Sequence, residues 1–194
     1  MMFDERLHCL NFLSRRCLSN RFNGNGYEMM YGLFLEPLKR MNAPRVLEIG
    51  LGCDMSYGPG ASATLWRKYL PNAVLIEAEI DERCVKHHKK KLAALNIRAV
   101  TGSSGNPTVL RRWLQQLGGN FDAVIDDGSH NNNDMLTAFE QLWGAVKPGG
   151  FYFIEDMCIG RQALDGALQP QIGPVMADVL ADWVEQKIIV SDSR

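Results

Sequence analysis

The sequence lacks any apolar run near the ~20 residues that a membrane-spanning helix requires, so we predict no transmembrane segment. It also lacks a charge excess, because 21 basic residues face 22 acidic ones, and this favours neither nucleic acid nor a membrane surface as a partner. The first residues lack the continuous apolar core of a secretory signal. These absences indicate a cytoplasmic globular protein, and 194 residues suit one domain.

Paired-cysteine motifs are absent as well. The five cysteines are odd in number and scattered, and none forms a CxxC pair. We therefore expect reduced thiols rather than a disulfide framework or a zinc site. Cys53 lies in a glycine-rich turn, where we expect it to be a small buried filler and not a nucleophile.

Five compact apolar runs alternate with helical patterns along the chain. The predicted strands cover residues 45–50, 73–80, 97–102, 121–126 and 150–156. Because the runs are continuous and do not alternate with polar residues, each strand should be covered on both faces, as in a parallel sheet. The sequence thus predicts a doubly wound, mostly parallel α/β fold with right-handed crossovers.

The two ends of the chain are assigned separately. Apolar residues recur at helical spacing over 3–17, so residues 1–40 are expected to form a helical segment that packs on the domain formed by 41–194. Near the C-terminus, 158–173 has a loop-like composition and 174–186 a helical pattern, while "KIIV" (187–190) is a candidate sixth strand.

The turn after the first strand, "EIGLGCDMSYGPGAS" (48–62), predicts a nucleoside site. Gly50 and Gly52 form a G-x-G, but the third glycine of a dinucleotide fingerprint would fall at Met55 and is missing, which disfavours a nicotinamide cofactor. Glu79 ends the second strand, where an acidic side chain commonly binds ribose hydroxyls. Together with Glu48, this favours a nucleoside ligand without phosphate, such as S-adenosylmethionine (SAM).

Acidic residues follow the fourth and fifth strands. Asp127 in "VIDDGSH" and the pair Glu155 and Asp156 in "FIED" should meet at one edge of the sheet. Because adjacent carboxylates repel one another, we predict a divalent cation there, with Mg²⁺ as the best match for oxygen ligands. His130 is the candidate general base, and Asp126 the candidate partner for the SAM ammonium group. The alternative is that these aspartates merely cap the next helix.

The motifs "VLEIGLG", "FDAVIDDGSH" and "VKPGGFYFIEDM" resemble those of class I SAM-dependent methyltransferases. The similarity, over about residues 24–157, is closest to the metal-dependent sugar O-methyltransferases of macrolide biosynthesis (mycinamicin type) and to the cephalosporin-hydroxylase-like family. The resemblance implies that Gly50, Gly52 and Ser62 face the methionine part of SAM, that Glu79 holds the ribose, and that Ser103 and Ser104 lie near the adenine. It gives Asp127, Glu155 and Asp156 the role of metal ligands and His130 that of the base.

The chain departs from the family pattern at several places. Asp54 stands where many members have a third glycine, Glu79 where an aspartate is usual, and Ser103 near a usual acidic position. The chain also lacks the large N-terminal domain of the mycinamicin type and stops before the last two strands of such a sheet. A homo-oligomeric partner that completes the sheet, a truncated form or a reduced core would each account for this.

The expected function is SAM-dependent, metal-assisted O-methylation of a sugar or other small natural product. One alternative is a catechol-type enzyme, which normally has a lysine where His130 stands. Another is a non-catalytic protein that binds SAM or a partner. Residues 23–31 and 158–173 are candidates to close over the acceptor. Tyr27 and Tyr31 could stack on its ring, although packing on the sheet is the commoner fate of aromatics.

Overall fold

The computed structural model describes residues 27–157, residue 159 and residues 173–192. The helix predicted over 3–17 and nearly all of the loop predicted over 158–173 lie outside this range. Within it, no helix is long and apolar enough to cross a membrane.

Five parallel strands form one sheet in the order β3-β2-β1-β4-β5, which confirms the predicted doubly wound α/β fold. The strands are β1 (Arg45–Ile49), β2 (Val74–Glu79), β3 (Ile97–Thr101), β4 (Phe121–Asp126) and β5 (Val146–Ile154). The α-helices are α1 (Tyr27–Phe34), α2 (Ala61–Tyr69), α3 (Glu82–His87), α4 (Lys89–Ala94), α5 (Pro107–Leu117), α6 (Asn132–Leu142) and α7 (Met176–Asp192). Short 3₁₀ helices cover Glu36–Arg40 and Trp143–Ala145.

Two predicted boundaries are wrong. The sixth strand over 187–190 is instead the end of α7, since no glycine or proline interrupts the chain between Met176 and Asp192. The basic stretch after β2 forms two helices that meet at His88. The "KPGG" segment belongs to β5, where a register shift against β4 and the edge position tolerate its proline.

Apolar side chains cover both faces of the sheet, which explains the continuous apolar runs. One core, centred on Tyr31, Trp66 and Phe153, includes residues of α1 and α2. The other, centred on Trp113 and Phe121, packs α5 and α6 on the opposite face. Every residue of β4 is buried.

The strand register brings the carboxyl ends of all five strands to one edge. Ile49 is level with Ala78 on one side and with Asp126 on the other, and Asp126 is level with Ile154. Strand order reverses between β1 and β4, so the crevice above these two strands is where an open α/β sheet binds its ligand.

Candidate metal and cofactor site

The glycine turn packs directly on the chain that leaves β4. Gly50 has a φ of +108°, and a Cβ there would lie 2.2 Å from the carbonyl oxygen of Asp127. The backbone N–H of Asp127 donates to the carbonyl of Ile49 at 3.0 Å. Glycine at position 50 is therefore needed for both its backbone conformation and its lack of a side chain.

The loop that follows is tied down at two points. Cys53 forms a disulfide with Cys84 of α3, at a Cα–Cα distance of 6.2 Å. Lys91 of α4 donates from Nζ to the carbonyl of Pro59 at 2.6 Å. The expectation of reduced thiols is therefore wrong for this pair, because folding places two cysteines 31 residues apart side by side.

The predicted cofactor residues line the same edge. Glu48 is buried and accepts a hydrogen bond from the hydroxyl of Ser62 at 2.8 Å. Glu79, at the end of β2, is 8% exposed and accepts from the backbone N–H of Asp81 at 3.0 Å. Ser104 is buried, and the hydroxyl of Ser103 accepts from Gly105 N at 3.2 Å in the loop after β3. The structure thus gathers these residues at the carboxyl ends of the strands.

An open cavity of about 330 Å³ lies beside Glu79, at the ends of β2 and β3. Its lining is formed by Ile80, Glu82, Thr101, Gly102, Arg112 and Gln116. Ile80 is 70% exposed, an unusual position for an isoleucine that directly follows a buried strand. The guanidinium of Arg112 donates to the carbonyl of Thr101 at 2.8 Å and closes one side.

Three side chains converge where β4 and β5 end. One ligand atom from each of Asp127, His130 and Asp156 lies within 4.8 Å of the others. His130 Nε2 is 3.9 Å from Asp127 Oδ1 and 4.0 Å from Asp156 Oδ2. Opposite ligands of an ion that binds oxygen at ~2.1 Å are separated by ~4.2 Å, so the cluster has the dimensions of a single-ion site. Glu155 is not a member of this cluster.

His130 and Asp156 also share an uncommon backbone conformation. Their φ values are +54° and +52°, in the left-handed region that costs a residue with a side chain ~1–3 kcal/mol. Such strain persists where surrounding contacts hold the residue, and it is concentrated at functional sites.

The alternative to a metal site was that the aspartates cap the helix after β4, and the structure shows which residue caps it. The N-cap of α6 is Asn131, whose side-chain oxygen accepts from the backbone N–H of Asn133 at 3.0 Å. Ser129 donates to Asp134 at 2.7 Å and braces the same turn. Asp127 is therefore not the N-cap of this helix.

Asp126 lies one residue before the cluster and is buried. Burial raises the pKa of its carboxyl group to about 7, against the lowering effect of a backbone hydrogen bond from Gly128 and a side-chain bond from Tyr152. An ammonium group placed beside it would favour the ionised form. This environment is consistent with the predicted role of Asp126 as partner of the SAM ammonium group.

Two tyrosines of α1 contact the acidic pair after β5. The Tyr27 hydroxyl donates to Asp156 Oδ1 at 2.6 Å and accepts from the Asp156 backbone N–H at 3.0 Å. The Tyr31 hydroxyl donates to Glu155 Oε1. Burial, then the hydrogen bond to Asp156, raises the pKa of Tyr27 and keeps its hydroxyl protonated.

Neither hydrogen bond could be found from the sequence, because the bonded residues are 129 and 124 positions apart. Tyr31 is fully buried between Trp66 and Phe153, with ring centroids at 4.9 and 5.1 Å. It packs on the sheet and is not exposed to stack on an acceptor ring.

This sheet, with its glycine turn and acidic edge, is the fold of a class I SAM-dependent methyltransferase. No protein-family model matches the chain. A solved structure of the MycE methyltransferase of mycinamycin biosynthesis, in complex with Mg, SAH and mycinamycin VI, is 31% identical with a TM-score of 0.70. The match covers 84% of this chain and 41% of that one.

The chain is also similar in sequence to curated O-methyltransferases. The chain is 34% identical over 118 residues to L-olivosyl-oleandolide 3-O-methyltransferase of Streptomyces antibioticus, which covers 60% of this chain and 29% of that protein. It is 37% identical over 115 residues to mycinamicin VI 2''-O-methyltransferase of Micromonospora griseorubida, covering 58% and 27%. The chain thus spans less than a third of the length of these relatives. The predicted resemblance to macrolide sugar O-methyltransferases is confirmed.

Proposed function

We propose that the protein is a SAM-dependent, divalent-metal-assisted O-methyltransferase whose acceptor is a hydroxyl of a sugar or another small natural product. The convergence of Asp127, His130 and Asp156 beside the glycine turn is the observation that carries this proposal. The MycE structure contains Mg and SAH, and both curated relatives are O-methyltransferases, which supports the same cofactors here.

The donor set fits a hard cation. Carboxylate oxygens from two neighbouring strands face each other across a distance that one ion can bridge, and Mg²⁺ prefers such ligands. We assign Asp127 and Asp156 as ligands and keep Glu155 as the third.

The remaining residues bind the cofactor. Gly50 and Gly52 permit close approach of the backbone, Glu79 binds the ribose hydroxyls, and Asp126 faces the ammonium group. Ser62 orients Glu48 below the methionine part, and Ser103 and Ser104 border the adenine. When bound, SAM supplies an electrophilic methyl group and the cation stabilises developing negative charge on the acceptor oxygen.

His130 acts on the acceptor. Nε2 faces both carboxylates and is the atom that takes the proton of the acceptor hydroxyl. His130 has a left-handed backbone conformation, and its ring lies against the two carboxylates of the cluster. Most of the rate gain would come from holding the hydroxyl in line with the methyl group.

Several further attributes are proposed from the sequence and the relatives. We propose a small-molecule acceptor and no nucleic-acid partner, given the balanced charge. We also propose a cytoplasmic location and a homo-oligomer in which a partner completes the sheet. The two-part division at residue 40 is likewise a proposal.

Calorimetric titration of SAM and of Mg²⁺ into the full chain tests the function. Asp127→Asn should weaken Mg²⁺ binding by at least about tenfold and leave SAM binding nearly unchanged, because it removes one ligand charge but keeps the shape of the side chain. Asp182→Asn, at an exposed position of α7, is the matched control and should change neither. SAM binding without any response to metal would instead indicate a metal-independent or non-catalytic SAM-binding protein.

A further inference from the structure

Helix α1 contacts the two acidic residues that follow β5, Glu155 and Asp156. Tyr27 and Tyr31 are four residues apart, so both side chains lie on one face of α1. Each hydroxyl reaches one member of the pair: Tyr27 contacts Asp156, and Tyr31 contacts Glu155. Tyr27 and Asp156 are 129 residues apart in the sequence, and Tyr31 and Glu155 are 124 residues apart.

The contact with Asp156 fixes the direction of its carboxylate. The Tyr27 hydroxyl donates to Oδ1 and accepts from the backbone N–H of the same residue, which closes a ring of two hydrogen bonds. With Oδ1 held, Oδ2 is the oxygen that faces His130 at 4.0 Å. The same bonds restrain the left-handed backbone of Asp156, whose φ is +52°.

The chemistry of the donors matters as much as their position. A tyrosine hydroxyl gives a strong hydrogen bond to a carboxylate but carries no charge. A lysine or arginine at either position would cancel part of the negative charge that attracts a cation. Tyrosines can therefore order Glu155 and Asp156 in the absence of metal and still leave the site electrostatically attractive to it.

We propose that Tyr27 and Tyr31 are positioning residues that pre-orient Asp156 and Glu155 for a divalent cation, so that α1 contributes to metal affinity without binding the metal. The proposal rests on the proposed function, because it assumes that these carboxylates bind a cation. Ordering the ligands beforehand lowers the entropic cost of binding, as the partners of metal ligands do in other metal sites.

Tyr27→Phe tests the proposal because it removes only the hydroxyl. Mg²⁺ affinity of the full chain, measured by calorimetry, should fall by about tenfold, while SAM affinity should stay within about twofold. Tyr31→Phe should act in the same direction, and Tyr27 is the decisive position if the fully buried Tyr31 does not tolerate the change.

Tyr69→Phe is the matched control. Tyr69 is also buried and also donates to a carboxylate, Glu36 at 3.2 Å, but it lies outside the metal cluster. Its variant should lose stability without losing metal affinity. A further readout is competition by Mn²⁺, whose paramagnetic resonance signal reports bound metal independently of catalysis.

The outcomes of these measurements distinguish the positioning role of the tyrosines from the proposed metal-assisted function. If the wild type binds Mg²⁺ and Tyr27→Phe binds it as tightly as Tyr69→Phe does, the positioning role is overturned while the proposed function stands. If the wild type binds SAM but no divalent cation, the metal-assisted function fails and the positioning role fails with it. Loss of metal affinity in Tyr27→Phe, with the affinity of Tyr69→Phe unchanged, supports both.

Discussion

Replacing Gly50 by alanine should destabilise the protein through one identifiable contact. The new Cβ would lie 2.2 Å from the carbonyl oxygen and 2.9 Å from the carbonyl carbon of Asp127, and both are backbone atoms that cannot rotate away. The φ of +108° adds strain of ~1–3 kcal/mol, and overpacking adds a further ~1–3 kcal/mol. We expect the free energy of unfolding to fall by roughly 2–6 kcal/mol in total.

Urea denaturation measures this loss, and Gly118→Ala is the matched control. Gly118 has a φ of +80°, so alanine is strained there too, but its Cβ would meet nothing within 4 Å. That variant should lose only ~1–2 kcal/mol. If the two variants lose equal stability, the close packing of the turn on Asp127 is not what requires a glycine at position 50.

The remaining predictions concern the cofactor and the base. His130→Ala should leave SAM and Mg²⁺ affinity nearly unchanged and reduce methyl transfer to an accepted hydroxyl substrate by ~10²–10⁴; unchanged turnover would exclude His130 as the base. Glu79→Gln should weaken SAM binding by about tenfold, because a charge-assisted hydrogen bond to ribose becomes a neutral one, and it should not alter Mg²⁺ binding. Equal SAM affinity in the variant and the wild type would remove Glu79 from the ribose site.

The sheet could be predicted from the sequence because burial on both faces leaves a direct trace. All five strands coincide with the predicted apolar runs to within a few residues at their ends. Helix ends were less predictable. The β-branched residues at 188–190 suggested a strand, yet they continue α7, because a helix already begun at Met176 extends until something stops it.

The position of the site could be predicted once the sheet was predicted to be parallel. Parallel strands end at one edge, so residues that follow β4 and β5 had to lie close together, and Asp127 and Asp156 do. What the sequence could not provide was the membership of the cluster. It placed Glu155 with the two aspartates and His130 beside them, whereas the tight group contains His130, and Glu155 is hydrogen-bonded to Tyr31.

The disulfide and the tyrosine contacts were missed because they depend on the docking of separate elements. Cysteine spacing is informative when both residues belong to one local motif, and Cys53 and Cys84 belong to different βα units. Likewise, the sequence suggested that Tyr27 and Tyr31 stack on an acceptor or pack on the sheet, but it could not show the carboxylates that they contact.

The difference between the features that could be predicted from the sequence and those that could not has a physical cause. Local sequence specifies which chemical groups arrive at the edge of the sheet, but repulsion between Asp127, Glu155 and Asp156 would spread them apart without further restraint. Hydrogen bonds from α1 and the close packing of Gly50 on Asp127 supply that restraint from distant parts of the chain. The geometry of the carboxylate cluster is thus a property of the whole fold, and a change in α1 should lower the proposed affinity for a divalent cation more than the proposed affinity for SAM.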